Sequence, residues 1–163
     1  MRHMVSVLVE NKFGVLARIS TLFAARGFNI DSLTVSETED SAISRMIIVV
    51  KGDCSILEQV TKQLNKLVDV IKVNDFNGAG CIERGVALIK INVTRSSRTE
   101  IIKLVGVFRA RVIDISQDSM IVEITGDEDK INAFMKVVMP YGIKETCRTG
   151  FVALGGGHLA GTK

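Results

Sequence analysis

The same order of apolar strands and amphipathic helices occurs twice in this chain of 163 residues. In the first half, short apolar, β-branched runs alternate with stretches whose apolar residues recur at helical spacing. Four strands are predicted over Met4–Val9, Phe28–Ser36, Ser44–Val50 and Val68–Val73. With one helix after the first strand and one after the third, the order is β-α-β-β-α-β, the ferredoxin-like pattern.

The second half repeats that order. Its strands are predicted over Val86–Val93, Arg111–Ile115, Met120–Ile124 and Ile143–Cys147. Residues match as well: Met46–Asp53 corresponds to Met120–Asp127, and Leu22–Arg26 corresponds to Val107–Arg111. The sequence therefore predicts an α+β protein of two tandem ferredoxin-like domains.

The domain boundaries follow from a break in the pattern. Asn77-Gly78-Ala79-Gly80 has the composition of a linker. We expect an N-terminal domain over residues 1–76, a linker over 77–84 and a C-terminal domain over 85–163. The last domain would end in a flexible tail that contains Gly155-Gly156-Gly157.

Composition narrows the location and the partners. The formal net charge is only +3 and the basic residues are scattered, so neither nucleic acid nor an anionic membrane is indicated as a partner. Cys54, Cys81 and Cys147 lie far apart, which favours free thiols in a reducing compartment. No apolar stretch reaches the roughly 20 residues that span a bilayer. We expect a cytoplasmic protein.

Catalytic and metal chemistry find little support in the residues. The two histidines, His3 and His158, lie near the termini, and neither is spaced with a cysteine or carboxylate as in a nucleophile system. No His/Cys/Asp/Glu group has metal-ligand spacing, so neither catalytic nor metal-binding residues are predicted. RNA-binding modules of this fold stack bases on aromatic residues of the central strands, which Met4–Val9 and Ser44–Val50 lack.

The junction between the first strand and the first helix is the strongest candidate for a ligand site. Asn11 and Gly14 stand where the chain turns into the helix. A helix N-terminus offers unpaired N–H groups that suit a small anion such as a carboxylate, and a glycine allows close approach. The plain alternative is that Gly14 only makes the turn and Asn11 only caps the helix; local sequence leaves both open. The second junction, Thr94–Ser97, has no glycine.

Pairing of two copies side by side would complete such a site. Asn29 and Ile30, placed on the second strand, would come from the paired subunit. The amides after Gly14 would hold a carboxylate, the carbonyls of Asn11 and Asn29 an ammonium, and Val15, Leu16 and Ile30 an aliphatic side chain. This is the chemistry of an amino-acid receptor.

Several motifs carry a family resemblance that spans nearly the whole chain. The run Ser6–Arg18 resembles the amino-acid-binding ACT domain. Together with Arg26–Val35, Leu64–Val70 and Arg148-Thr149-Gly150, it is similar to the small, regulatory subunit of acetolactate synthase (acetohydroxyacid synthase).

The resemblance implies a homodimeric, non-catalytic subunit that activates the large catalytic subunit and confers feedback inhibition by valine or a related branched-chain amino acid. Thiamine diphosphate, FAD and magnesium would belong to the catalytic partner, with none of them on this chain. Effector contacts are implied for Asn11, Gly14, Val15, Leu16, Asn29 and Ile30. The alternative is an ACT-type sensor that regulates a different enzyme.

Three residues depart from the family pattern. Gly85 replaces an acidic residue, Ala110 replaces a glycine, and Phe13 is bulkier than the usual residue before Gly14. The first two leave the contacts of the second domain open, and Phe13 leaves the choice of effector open.

Overall fold

A computed structural model describes residues 1–76 and 81–156, in two compact units. Of these residues, 1–76, 81–82 and 152–156 belong to one unit and Glu83–Phe151 form the other. The centre of the predicted linker, Asn77–Gly80, and the tail residues Gly157 and His158 lie outside the described residues. The domain boundaries given above stay a prediction.

The first unit has the predicted β-α-β-β-α-β order. Its elements are β1 (Arg2–Glu10), α1 (Val15–Ala25), β2 (Ser32–Glu37), β3 (Ile43–Lys51), α2 (Cys54–Leu64) and β4 (Val70–Asp75). The strands form an antiparallel sheet in the order β2-β3-β1-β4. One sheet face packs against both helices through a buried cluster that contains Val7, Ile48, Ile19, Phe23 and Leu64.

The opposite face of this sheet is buried too. Met4, Ser6, Ile47 and Val49 alternate with the core residues of β1 and β3, and each is at most 4% exposed. Two central strands buried on both faces offer no open surface on which bases could stack.

The second unit repeats the arrangement. Its elements are β5 (Cys81–Asn92), α3 (Arg98–Val107), β6 (Arg111–Ile115), β7 (Ser119–Gly126), α4 (Glu128–Val138), a 3-10 turn at Met139–Tyr141 and β8 (Ile143–Arg148). The last strand, β9 (Val152–Gly155), belongs to the first unit. The sheet order is β6-β7-β5-β8. The register shifts once between β1 and β4, and once between β5 and β8. The fold class of two tandem ferredoxin-like units is confirmed.

Equivalent signals begin the second helix of each unit. The carboxylate of Asp53 accepts the N–H of Ile56 at 3.0 Å, and that of Asp127 accepts the N–H of Lys130 at 2.8 Å. Each aspartate follows a glycine at the end of a strand, as the match of Met46–Asp53 with Met120–Asp127 predicts.

The other predicted match, Leu22–Arg26 with Val107–Arg111, is wrong by three residues. Helices α1 and α3 end in the same backbone pattern, in which Phe28 N–H donates to the carbonyl of Phe23 and Ala110 N–H to that of Val105. Phe23 therefore corresponds to Val105. The left-handed residue after each helix is Gly27 in one unit and Arg109, at φ 52°, in the other. Because Arg109 takes the left-handed conformation, the backbone at position 110 does not require a glycine, and alanine is accommodated there.

The starts of β2, β4 and β5 differ from prediction. β2 begins only at Ser32, so Phe28, Asn29 and Ile30 precede the strand and lie in a loop. β4 begins at Val70 because a turn from Leu67 O to Val70 N comes first. β5 begins at Cys81, so residues 81–84 of the predicted linker lie in a strand.

The glycine at position 85 has a packing reason. A Cβ placed there would lie 2.9 Å from Cε1 of Phe151, whose side chain is buried. The absent side chain therefore makes room for the aromatic ring, with which a larger residue at this position would collide.

Candidate functional site at the first strand–helix junction

The N-terminus of α1 is open. Gly14 is its N-cap at φ 82° and ψ −4°, a left-handed conformation that favours glycine. No side chain caps the helix and its first turn has no acidic residue, whereas α2 and α4 are capped by aspartates. The N–H of Val15 makes only a long 3.4 Å contact with the carbonyl of Lys12. The first amides of α1 are thus available to an anion.

Asn11 lies three residues before Gly14, and its side chain has a fixed orientation. Its Nδ2 donates to the carbonyl of Ser41 at 2.9 Å and to Oε1 of Glu37 at 3.1 Å. Because the amide nitrogen donates to two acceptors, the orientation of the side chain is determined, and Oδ1 is the atom left to accept a hydrogen bond. Asn11 therefore holds the β2–β3 hairpin and offers a carbonyl oxygen; it does not cap α1.

Val15 and Leu16 point to different environments. Val15 is 3% exposed and packs in the core with Ile19 and Phe23 at helical spacing, whereas Leu16 is 43% exposed. The Val15 side chain lies on the face of α1 that covers the sheet, and its predicted contact with an effector stays a prediction. Leu16 is the exposed aliphatic side chain at this junction.

Asn29 and Ile30 lie at the other end of the same helix. They follow α1, whose 11 residues span about 16 Å. Asn29 is exposed, with Nδ2 3.4 Å from Oδ1 of Asp31, and Ile30 is half-buried against the core. One chain therefore does not bring these two residues to Gly14. Only a second copy could do so.

Charged groups surround the junction in pairs. Lys12 Nζ lies 2.7 Å from Oε2 of Glu10, and Arg18 Nε lies 2.8 Å from Oδ2 of Asp69. The hydrogen bond that Lys12 donates to Glu10, together with the negative charge of Glu10, raises the pKa of Lys12 above its ordinary value. The sequence analysis missed Arg18 and Asp69; the spacing of four residues between Gly14 and Arg18 could have found the arginine.

The equivalent junction of the second unit has a different turn, and α3 also begins without a side-chain cap. The hydroxyl of Ser97 accepts the N–H of Thr94 at 2.9 Å, and the hydroxyl of Thr94 accepts the N–H of Ser97 at 3.1 Å. The two hydroxyls also bond to each other at 3.0 Å. This internal network stands where the first unit has its glycine turn, and the first turn of α3 contains the acidic residue Glu100, whereas that of α1 contains none.

Other kinds of site are not seen in the part of the chain that the structure describes. Within residues 1–76 and 81–156, no three His, Cys, Asp or Glu side chains converge as metal ligands, and no helix is both long and apolar enough to cross a membrane. An open groove of about 410 Å³ along α1 is lined by Ala17, Arg18, Thr21, Leu22, Ala25 and Leu67. Its lining is mostly apolar and therefore does not match the two charged ends of an amino acid.

Comparison with known proteins identifies relatives along nearly the whole chain. Residues 5–72 match a family model described as an AHAS small subunit-like ACT domain, and residues 84–157 match one described as the small subunit of acetolactate synthase. A probable acetolactate synthase small subunit from Archaeoglobus fulgidus is 53% identical over 94% of this chain and 96% of that protein. The acetolactate synthase small subunit of Aquifex aeolicus is 48% identical over 94% of this chain and 80% of that protein. A crystal structure of the small subunit from Thermotoga maritima superposes with a TM-score of 0.84 at 43% identity, covering 95% of this chain and 97% of that one.

Proposed function

The chain belongs to the family of acetolactate synthase small subunits, and on that premise we propose that it is a regulatory subunit that activates the catalytic subunit and makes it sensitive to valine or a related branched-chain amino acid. The observation that carries the proposal is the uncapped N-terminus of α1 at the left-handed Gly14, three residues after Asn11, whose side chain has a fixed orientation. The reaction itself would take place on the catalytic subunit, which would bind thiamine diphosphate, FAD and magnesium. The cytoplasmic location stays a prediction.

The effector would be held at both of its charged ends. Its carboxylate binds the N–H groups that follow Gly14, where the helix dipole favours negative charge. Its ammonium binds Oδ1 of Asn11, and its aliphatic side chain packs against Leu16. These groups are fixed before binding, because Asn11 is held by two hydrogen bonds and Gly14 by the start of the helix.

A second copy of the chain would complete the site. Asn29 and Ile30 lie about one helix length from Gly14 in their own chain, so a homodimer has to bring the partner's pair to it. Oδ1 of Asn29 would be a second acceptor for the ammonium, since Nδ2 faces Asp31. Binding at such a seam couples effector occupancy to the arrangement of the two subunits.

Reconstitution with the catalytic subunit of the same organism tests the proposal. Acetolactate formation is measured while the chain is added to a fixed amount of catalytic subunit with all three cofactors present, and then while valine, leucine or isoleucine is titrated. We expect activity to rise to a plateau and then to fall with one of these amino acids. No rise in activity contradicts the proposal; amino-acid binding without activation points to a sensor that regulates a different enzyme.

A thermal-shift scan against valine, leucine, isoleucine, serine and phenylalanine identifies the effector. A ligand at a hundred times its Kd stabilises the folded state by about 2.7 kcal/mol, which raises the Tm by several degrees. A shift with one branched amino acid supports the sensor role. If none of them shifts the Tm, the assignment of the effector site is wrong.

A further inference from the structure

We propose that Arg18 is a further effector-binding residue, whose guanidinium contacts the effector's carboxylate while Asp69 holds it in place. The inference rests on the proposed function, since it adds a residue to the same site. The backbone amides of α1 are neutral donors; a cation beside them would bind an anion more tightly and would select for a carboxylate.

The position of the guanidinium carries this inference. A Cβ built on Gly14 would have a single neighbour within 4 Å, Nη1 of Arg18, at 3.8 Å. The guanidinium edge therefore borders the space beside the glycine, next to the open amides of the helix. A ligand group that occupied the Cβ position of Gly14 would therefore meet this guanidinium.

The donors of Arg18 are only partly used. Nε is paired with Oδ2 of Asp69 at 2.8 Å, and within residues 1–76 and 81–156 the Nη groups have no other hydrogen bond. A guanidinium has five N–H donors in a fixed plane, so a carboxylate can be held at one edge while another anion holds a different edge. Arg18 is 51% exposed, which leaves its Nη edge accessible.

Asp69 is suited to a positioning role. Its side chain is only 14% exposed, and its backbone carbonyl accepts the N–H of Glu10 at 2.9 Å, which ties the α2–β4 loop to the end of β1. The carboxylate is therefore a fixed anchor. It orients Arg18 toward Gly14 instead of allowing the side chain to extend into water.

The test compares two ligands that differ only in the carboxylate. Valine and L-valinamide are titrated calorimetrically into the wild-type dimer, Arg18→Gln and Arg18→Lys; if leucine or isoleucine is the effector, that amino acid and its amide are used. We expect Arg18→Gln to weaken valine binding about 10- to 100-fold, the range of a charge-assisted hydrogen bond, and to leave valinamide binding unchanged. Arg18→Lys keeps the positive charge but lacks the planar set of N–H donors, so its affinity for valine should lie between those of the wild type and Arg18→Gln.

Two more variants separate binding from structure. Lys62→Gln removes an exposed ion pair, Lys62–Glu58 at 2.6 Å, from the same unit and should leave both affinities unchanged. Asp69→Asn keeps the guanidinium but removes the carboxylate that holds it in place. The affinity for valine should therefore fall by less than in Arg18→Gln, and the ratio of the affinities for valine and valinamide should decrease.

Each outcome decides one of the two proposals. Equal losses for valine and valinamide in Arg18→Gln would show that Arg18 only supports the fold, and an unchanged valine affinity would remove it from the site; either overturns this inference and leaves the regulatory proposal intact. Failure of the wild-type dimer to bind any branched amino acid would overturn the effector site itself, and this inference with it.

Discussion

Gly14→Asp should abolish effector binding while leaving the chain folded. The new carboxylate would stand in the space beside the first amides of α1, where its nearest side-chain neighbour is Nη1 of Arg18, 3.8 Å from the Cβ position. It would satisfy the same donors that we assign to the effector's carboxylate. The site would then be occupied by the protein's own anion.

The magnitude follows from the charge. Two carboxylates about 4 Å apart repel by about 4 kcal/mol at an effective dielectric constant of 20, which corresponds to a roughly thousandfold increase in Kd. The fold should lose far less. A non-glycine residue at φ 82° costs about 1–2 kcal/mol, aspartate is among the residues that tolerate this region, and the Cβ has open space.

Calorimetric titration of valine, with size-exclusion chromatography to confirm the dimer, measures the effect. Gly14→Asn is the matched control, because asparagine has the same size and tolerates the same backbone conformation without the charge. We expect Asn to retain measurable affinity and Asp to show none. Wild-type affinity in Gly14→Asp would refute the carboxylate site, and equal losses in both variants would assign the effect to bulk instead of charge.

Two further substitutions probe the other half of the site and the fold. Asn29→Ala should weaken binding by about 1–3 kcal/mol if its carbonyl is buried against the effector's ammonium, and an unchanged Kd in the same titration would remove Asn29 from the site. Asp53→Ala should lower the Tm at neutral pH, because the hydroxyl of Ser55 and the N–H of Ile56 bond to the carboxylate and lower the pKa of Asp53. A lowered folded-state pKa stabilises the protein above the ordinary aspartate value of about 3.9, and that stabilisation disappears as the pH falls through the folded value. The difference in Tm between the wild type and Asp53→Ala should therefore become smaller as the pH is lowered. A difference that does not change with pH would contradict the role of the charged cap.

Local signals were enough to predict most of the fold. The turns at Gly52-Asp53 and Gly126-Asp127 begin helices because an aspartate side chain can cap the amide three residues later, a contact encoded within one turn. The start of β2 could not be predicted in this way. Phe28 and Ile30 look like strand residues, yet they lie before Ser32 and pack against the core as part of a loop.

The site was predictable to the extent that it is local. Gly14 takes the left-handed conformation that a strand-to-helix turn with glycine suggests, and α1 begins at Val15 as expected. The burial of Val15 follows from its spacing with Ile19, which assigns its side chain to the core. The pairing of Arg18 with Asp69 could not be read from the sequence, since the two residues lie 51 positions apart and meet only once β4 is placed beside β1.

A mixed dimer tests most directly whether two copies of this chain share an amino-acid site. Gly14→Asp and Asn29→Ala chains carrying different affinity tags are co-expressed, the dimer with both tags is purified, and valine is titrated calorimetrically. If Gly14 of one chain meets Asn29 of the other, one site of the mixed dimer carries both changes and the other carries neither. The account predicts one binding site per dimer at wild-type affinity. Absence of any wild-type site would place both residues in sites built by single chains and contradict the account.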